Sequence, residues 1–348
     1  KQVNLIKTQA LFFPLMILLI GISNLLVIYV GGKQYLDGRI ENIGIIAEFI
    51  IYVNMLTWPV TSLGWISSII QQAEASQKRI NEFLKEKSEI VNRLGGSKKI
   101  KGSIEFKNVS FLYSESRINA LNNVSFSLNN KKSMGLIGVT GSGKTTLLSL
   151  LIKNYNIDSG KILIDNKCID EYDLESLRKE IGYVPQDSFL FSDSIINNIR
   201  FGNEKATSKE VEKVCKISGI HNEIIKFKNG YNTILGERGI NLSGGQKQRI
   251  CIARALIKNP KILILDDCFS ALDSDTEKKI INSLQDSIIK TTTIISSHRL
   301  SSIQNLDEII VLEKGKIIQR GNHETLKKQK GYYKKVYSDQ ISKKDDSI

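Results

Sequence analysis

Two adjacent acids, Asp266 and Asp267, follow an unbroken apolar run in ILILDDCFSALDS, residues 262–274. Upstream, Gly138, Gly141, Gly143, Lys144 and Thr145 in GVTGSGKT fit the spacing G-x-x-x-x-G-K-[ST]. Glycines at these steps let backbone N–H groups turn inward around phosphate oxygens, and Thr140, Ser142 and Thr146 complete that loop. The spacing predicts Lys144 at the β- and γ-phosphates and the Thr145 hydroxyl on Mg²⁺. Asp266 is then the acid that holds the same ion through water. The combined chemistry is that of a nucleoside triphosphate with its metal.

These groups need particular elements beneath them. SMGLIGVTGSGKTTLLSLL reads as an apolar strand, a glycine loop and a helix, whose positive N-terminal end faces the phosphates. ILIL is continuous rather than alternating, which predicts a parallel strand buried on both faces. An acid at its carboxyl end lies where open α/β sheets bind ligands. IEFKNVSF, near residue 104, alternates like a strand with one face in water.

The first 70 residues have another character. Residues 11–30, LFFPLMILLIGISNLLVIYV, carry no charge over 20 positions, long enough to cross a bilayer as helix. A second run, 43–70, holds one charge, Glu48, and one proline, Pro59, where a local kink is expected. Lys1 and Lys7 precede the pair and Lys78 and Arg79 follow it, so both ends read as cytoplasmic and 31–42 as an outward loop. A helical pattern continues to about residue 90, and RLGGSKK marks a linker within 93–103. The net charge of +13 fits an anionic membrane face, and the two spans argue against nucleic acid as a partner. Lysines of 327–344 contribute much of the excess and read as a solvated end. Cys168, Cys215, Cys251 and Cys268 show no metal-ligand spacing and read as reduced, structural thiols.

After the phosphate loop come YVPQD (183–187), LSGGQKQR (242–249), ILILDD (262–267), SALD (270–273) and SSHRLS (296–301). This order resembles the nucleotide-binding domain of an ATP-binding cassette transporter over about 104–338, and the two spans resemble the last two membrane helices of its exporter type. The expected architecture is a helical transmembrane segment (1–92) fused to an α/β P-loop NTPase cassette with a helical subdomain, then a polar tail (339–348). The resemblance implies ATP and Mg²⁺ as ligands and a multi-pass protein of the cell membrane with its cassette in the cytoplasm. A half of this type has six membrane helices, so four are expected to precede this chain, which begins at Lys1 rather than Met.

The resemblance also assigns residues. Tyr113 matches the aromatic that stacks on adenine. Gln186 matches the glutamine that meets Mg²⁺ and the attacking water. Ser243, Gly244, Gly245 and Gln246 match a signature loop that caps the nucleotide of an opposite cassette. Asp273 matches the aspartate at the dimer seam, His298 the histidine at the γ-phosphate, and Glu237 a contact to the membrane domain. His221 and His323 read as structural.

One position departs from the pattern. The acid after the Mg²⁺ aspartate is glutamate in most of this family, where it polarises the attacking water; here it is Asp267. The aspartate is shorter by roughly 1.5 Å, and a misplacement near 1 Å can cost about 10²-fold in rate. The preferred reading is the weaker half of a heterodimer with a second half-transporter. A homodimer using Asp267 slowly is the alternative, and intact His298 speaks for it. A membrane-tethered regulatory cassette with little turnover, and a soluble-type cassette acting on nucleic acid, are the rival functions.

Overall fold

The computed structural model describes residues 2–88, 90 and 99–345. Residues 93–98 of the expected linker and the last three of the tail lie outside this set. The chain divides into two compact units, Lys1–Lys87 and Ser88–Ile348.

The first unit is a pair of long helices, α1 (Gln2–Leu36) and α2 (Gly44–Lys85). Both contain windows apolar and long enough to span a bilayer, with no residue of those windows buried. Such surface is stable only in a non-aqueous medium or under further helices. The helix pair differs from the sequence reading in two places. Residues 31–36 stay helical, so the connection is shorter than 31–42. Gly31 serves close packing there: a Cβ on it would stand 3.0 Å from Ile46 Cγ1. The turn is made instead at Gly38, whose φ is +71°. At the other end α2 stops at Lys85, short of residue 90, with Glu86 leaving helical geometry at ψ 121°. Pro59 lies inside α2, which continues on both sides of it. Thr61 Oγ1 meets Met16 Sδ at 3.0 Å, a polar contact between the two helices.

The second unit is built on two sheets. One is antiparallel, in the order β2 (Ile118–Leu128), β1 (Ile104–Tyr113), β4 (Ser159–Ile164), β5 (Lys167–Cys168), where the numbers follow chain order. The other has the order β10 (Lys316–Gly321), β9 (Glu308–Glu313), β3 (Ser133–Ile137), β8 (Thr292–Ser296), β7 (Ile262–Asp266), β6 (Ile181–Val184). Here β9, β3, β8, β7 and β6 run parallel, and only β10 is antiparallel. All five residues of each of β3, β7 and β8 are buried, as uninterrupted apolar or small sequences covered on both faces must be.

Helices pack around this second sheet. They are α3 (Lys144–Leu151), α4 (Leu174–Lys179), α5 (Ile195–Arg200), α6 (Ser208–Ile217), α7 (His221–Ile224), α8 (Gly244–Leu256), α9 (Ser274–Lys290), α10 (His323–Leu326) and α11 (Tyr332–Asp345). The last of these carries helix through residues 339–345, so the segment read as a polar tail is ordered in its first part.

Alternate residues of the central strands serve two cores. Leu136, Ile262, Ile264 and Ile294 join α3 and the antiparallel sheet, while Ile137, Leu263, Leu265 and Ile295 join the helices α5–α9. Placing one strand between two cores fixes its register, because a slip of one residue would exchange them.

Candidate nucleotide-binding site

The parallel strands end on one edge. Pairing of Leu136 and Asp266 with Ser296 aligns the carboxyl ends of β3, β7 and β8. The phosphate loop leaves β3, Asp267 follows β7, His298 lies two residues beyond β8, and Gln186 two beyond β6. Four segments distant in sequence therefore meet where strand order favours a ligand crevice. Two backbone bonds tie three of them: Asp267 N donates to Ser296 O at 2.9 Å, and Ser297 N to Leu136 O at 3.1 Å.

The loop itself is possible only with glycine. Gly143 caps α3 at φ +103°, and a Cβ there would lie 2.5 Å from Ala120 O. At Gly138 a Cβ would lie 2.1 Å from Leu312 O. Thr140, Gly141 and Thr145 face solvent, whereas Ser142, Lys144 and Thr146 are buried. Lys144 Nζ donates to Gly138 O at 2.8 Å and to Val139 O at 3.1 Å, folding the ammonium under the loop. Burial lowers its proton affinity, while Asp267 and Asp266 pull the other way.

Asp266 is 1% exposed, and both its carboxylate oxygens are buried without a hydrogen bond of full geometry. Burial pushes its carboxyl above the usual range; the Thr145 and Ser296 hydroxyls and Lys144 offset part of this, and the Asp267 charge adds to it. Tyr183, across from it on β6, is driven upward by its own burial and by the Asp266 charge. Ser142 Oγ and Ser296 Oγ are likewise buried without a hydrogen bond of full geometry. A buried carboxylate with free lone pairs beside a lysine and a threonine hydroxyl is a donor set suited to a hard divalent cation bound through oxygen and water.

Asp267 is half-buried at φ +45°, a left-handed position where aspartate is favoured over most residues. Burial raises its proton affinity, opposed by His298, whose backbone N–H bonds it, and by the Lys144 and Arg299 charges. His298 and Gln186 are exposed at the same edge.

Tyr113 ends β1 and bonds Thr146 Oγ1 at 3.1 Å through its hydroxyl. Its ring packs edge-on to Phe111 and Tyr155, 4.9 and 5.4 Å away. Tyr113 is thereby linked to the loop, in a three-ring group whose third member, Tyr155, has no motif to reveal it.

The signature residues lie elsewhere. Ser243 caps α8: its hydroxyl accepts from Gln246 N at 3.3 Å, and Gln246 Oε1 accepts from Ser243 N at 2.9 Å. Gln246 Nε2 also donates to Glu223 at 2.8 Å. Gly244 and Gly245 sit against Ala271 and Leu272, where Cβ atoms would come within 3.3 and 2.8 Å. Gln248 bridges to Ser270 Oγ and Ala271 N at 3.3 Å each. Among the described residues, no hydrogen bond or ion pair joins Ser243–Gln246 to the phosphate loop. Asp273 caps α9 by accepting from Thr276 N at 2.9 Å, which holds its carboxyl below the usual range. Glu237 is exposed. His221 bonds Tyr231 at 2.8 Å and His323 bonds Tyr333 at 2.7 Å, away from this edge.

Sequence reading missed the groups that hold the site from behind. Glu277, fully buried, accepts from Arg299 Nη1 at 2.8 Å, from Ser301 Oγ at 2.9 Å and from Ser302 Oγ. Arg299 also donates to Leu272 O at 2.9 Å. Helical spacing marks Glu277 only as one more charge on α9.

A phosphate loop, a buried acid and a helix-capping LSGGQ segment on a parallel sheet with an antiparallel annex define a P-loop nucleotide-binding cassette. Residues 121–270 match the family model described as ABC transporter. The cassette belongs to the ABC transporter family, and two helices long and apolar enough to cross a membrane precede it in the chain. It is 42% identical to the multidrug resistance-like ATP-binding protein MdlA of Buchnera aphidicola, over 98% of this chain and 58% of that one. It is 39% identical to a putative export ATP-binding/permease protein of Rickettsia typhi, over 97% of this chain and 59% of the other. A solved bacterial Atm1-family ABC exporter with ATP bound aligns at a TM-score of 0.76 and 32% identity, covering 97% of this chain and 60% of that one. The chain thus spans a little under three fifths of the length of the first of these relatives.

Proposed function

We propose that this chain is an ATP-binding and ATP-hydrolysing subunit of an exporter, in which association of two cassettes drives export across the cell membrane. The observation that carries this is the buried Asp266 carboxylate, whose oxygens lack a hydrogen bond of full geometry and which stands at the strand edge beside Lys144, Thr145 and Ser296. A buried acid whose lone pairs are incompletely satisfied calls for a physical reason, and a cation held through water supplies one.

In this reading Lys144 leaves its loop carbonyls to compensate charge on the β- and γ-phosphates, and Tyr113 supports adenine. Thr145, Gln186 and, through water, Asp266 would hold Mg²⁺, which neutralises phosphate charge when bound. Asp267 and His298 orient the attacking water and the γ-phosphate. Ser243–Gln246 present the N-terminus of α8 to a nucleotide on a partner cassette. The separation of this segment from the chain's own phosphate loop by hydrogen bonding supports a site shared between two cassettes. Multidrug resistance-like and export relatives support outward transport.

The finer assembly we infer is a heterodimer in which this half carries the slower site. It rests on Asp267, whose side chain reaches less far than glutamate. The experiment is steady-state ATPase in nanodiscs on the full-length assembly, wild type against Ser243→Arg. Turnover should fall at least about tenfold, some 1.4 kcal/mol. Unchanged turnover would refute capping in trans.

A further inference from the structure

The segment that carries His298 is gripped by the C-terminal helix. Gln340, on α11, donates from Nε2 to His298 O at 3.0 Å and accepts from Leu300 N at 3.0 Å through Oε1. One amide thus closes on the backbone on both sides of Arg299. Donor and acceptor are fixed by chemistry, since a carbonyl only accepts and an N–H only donates.

The helix that delivers Gln340 is itself anchored. Tyr333, fully buried, donates its N–H to Gln319 Oε1 at 3.1 Å, and its hydroxyl meets His323 Nδ1 at 2.7 Å. Its ring belongs to the same buried core as Leu300, Ile303 and Leu306. On the far side, Arg299 and Ser301 are bonded to Glu277. These bonds hold the residues flanking His298; the bond from Gln340 reaches the backbone of His298 itself.

We infer that Gln340 is a positioning residue for His298, and that α11 is the clamp setting where the imidazole stands at the nucleotide edge. Its catalytic consequence rests on the reading of His298 given above. An exposed side chain on a short connection after β8 has no packing of its own to fix it, so its backbone must be fixed instead. Losing the amide frees a carbonyl and an N–H that water can satisfy, so the effect falls on geometry more than on stability.

The test uses the full-length protein in nanodiscs with Gln340→Ala and Gln340→Glu. The second keeps an acceptor for Leu300 and loses the donor to His298. By hydrogen exchange, Gln340→Ala should speed exchange across 298–301 several-fold, with β3 unchanged. Unchanged exchange there overturns the clamp, and acceleration throughout the cassette shows a merely structural role and overturns it equally. In turnover, Gln340→Ala should lower kcat by at least half of the logarithmic loss caused by His298→Ala, with KM for ATP within about twofold, some 0.4 kcal/mol. Added to His298→Ala it should lower kcat no further; a full additional loss contradicts action through His298. Gln340→Glu should fall with Gln340→Ala in kcat while protecting Leu300 N–H. If His298→Ala itself turns over at the wild-type rate, the role given to His298 fails, and the exchange result alone decides the clamp.

Discussion

Replacing Asp266 by asparagine should strengthen the fold and abolish the function. The carboxylate is 1% exposed and neither oxygen is fully hydrogen-bonded. A buried polar group left without partners costs about 1–3 kcal/mol, and part of that is recovered when the charge is removed at constant shape. We expect Asp266→Asn to gain about 1 kcal/mol in protein stripped of nucleotide and metal, which corresponds to roughly 2–4 °C in Tm for a domain of this size. The pH dependence has a definite sign. Burial raises the folded-state pKa of Asp266 above its ordinary value of 3.8. The charged form is therefore penalised in the folded state, fully so above the folded pKa, and the penalty disappears as pH falls below the unfolded value. The advantage of the variant should be complete above the folded-state pKa and vanish below about pH 4. The assay is thermal unfolding followed by intrinsic fluorescence across that range, paired with ATP turnover. Adding Mg²⁺ and ATP should raise the wild-type Tm more than that of the variant, since only the wild type has the carboxylate for the ion. A variant that is less stable at neutral pH, or that turns over ATP like wild type, refutes the assignment of a strained, metal-directed acid.

Other expectations follow from the same geometry. Gly143→Ala forces a Cβ to within 2.5 Å of Ala120 O at a φ of +103°, so ATP binding should be lost together with about 1–3 kcal/mol of stability in denaturant titration. Arg299→Met removes a charged partner from fully buried Glu277 and should destabilise by about 1.5–3 kcal/mol in the same measurement. Asp267→Asn, under the heterodimer reading, should reduce assembly turnover by less than about fivefold, under 1 kcal/mol. A loss of 10²-fold or more, typical of a missing general base, would instead make Asp267 the working base of a homodimer.

What could be read from sequence follows from how local each cause is. The order strand, glycine loop, helix at 133–151 rests on residues adjacent in the chain, and β3 and α3 carry that order in the structure. Apolar ILIL gives a fully buried β7 for the same reason. The glycines of 31–32 misled because glycine serves turns and close helix packing alike, and only the neighbouring Ile46 decides between them. Gln340, Glu277 and Arg299 were illegible at the site because their partners lie 42, 25 and 27 residues away, with no spacing rule to join them. The edge that brings Gln186, Asp266 and His298 together depends on strand order, which a strand pattern alone does not specify.

The most direct test of the central claim is equilibrium binding of radiolabelled ATP to the full-length protein, wild type against Lys144→Ala. The buried Lys144 ammonium faces the phosphate loop with Asp266 and Asp267 nearby, and its removal takes away the charge that compensates the terminal phosphates. The account requires saturable, Mg²⁺-dependent binding in the wild type and a Kd raised at least about tenfold, 1.4 kcal/mol, in the variant. Equal binding by both proteins would contradict it.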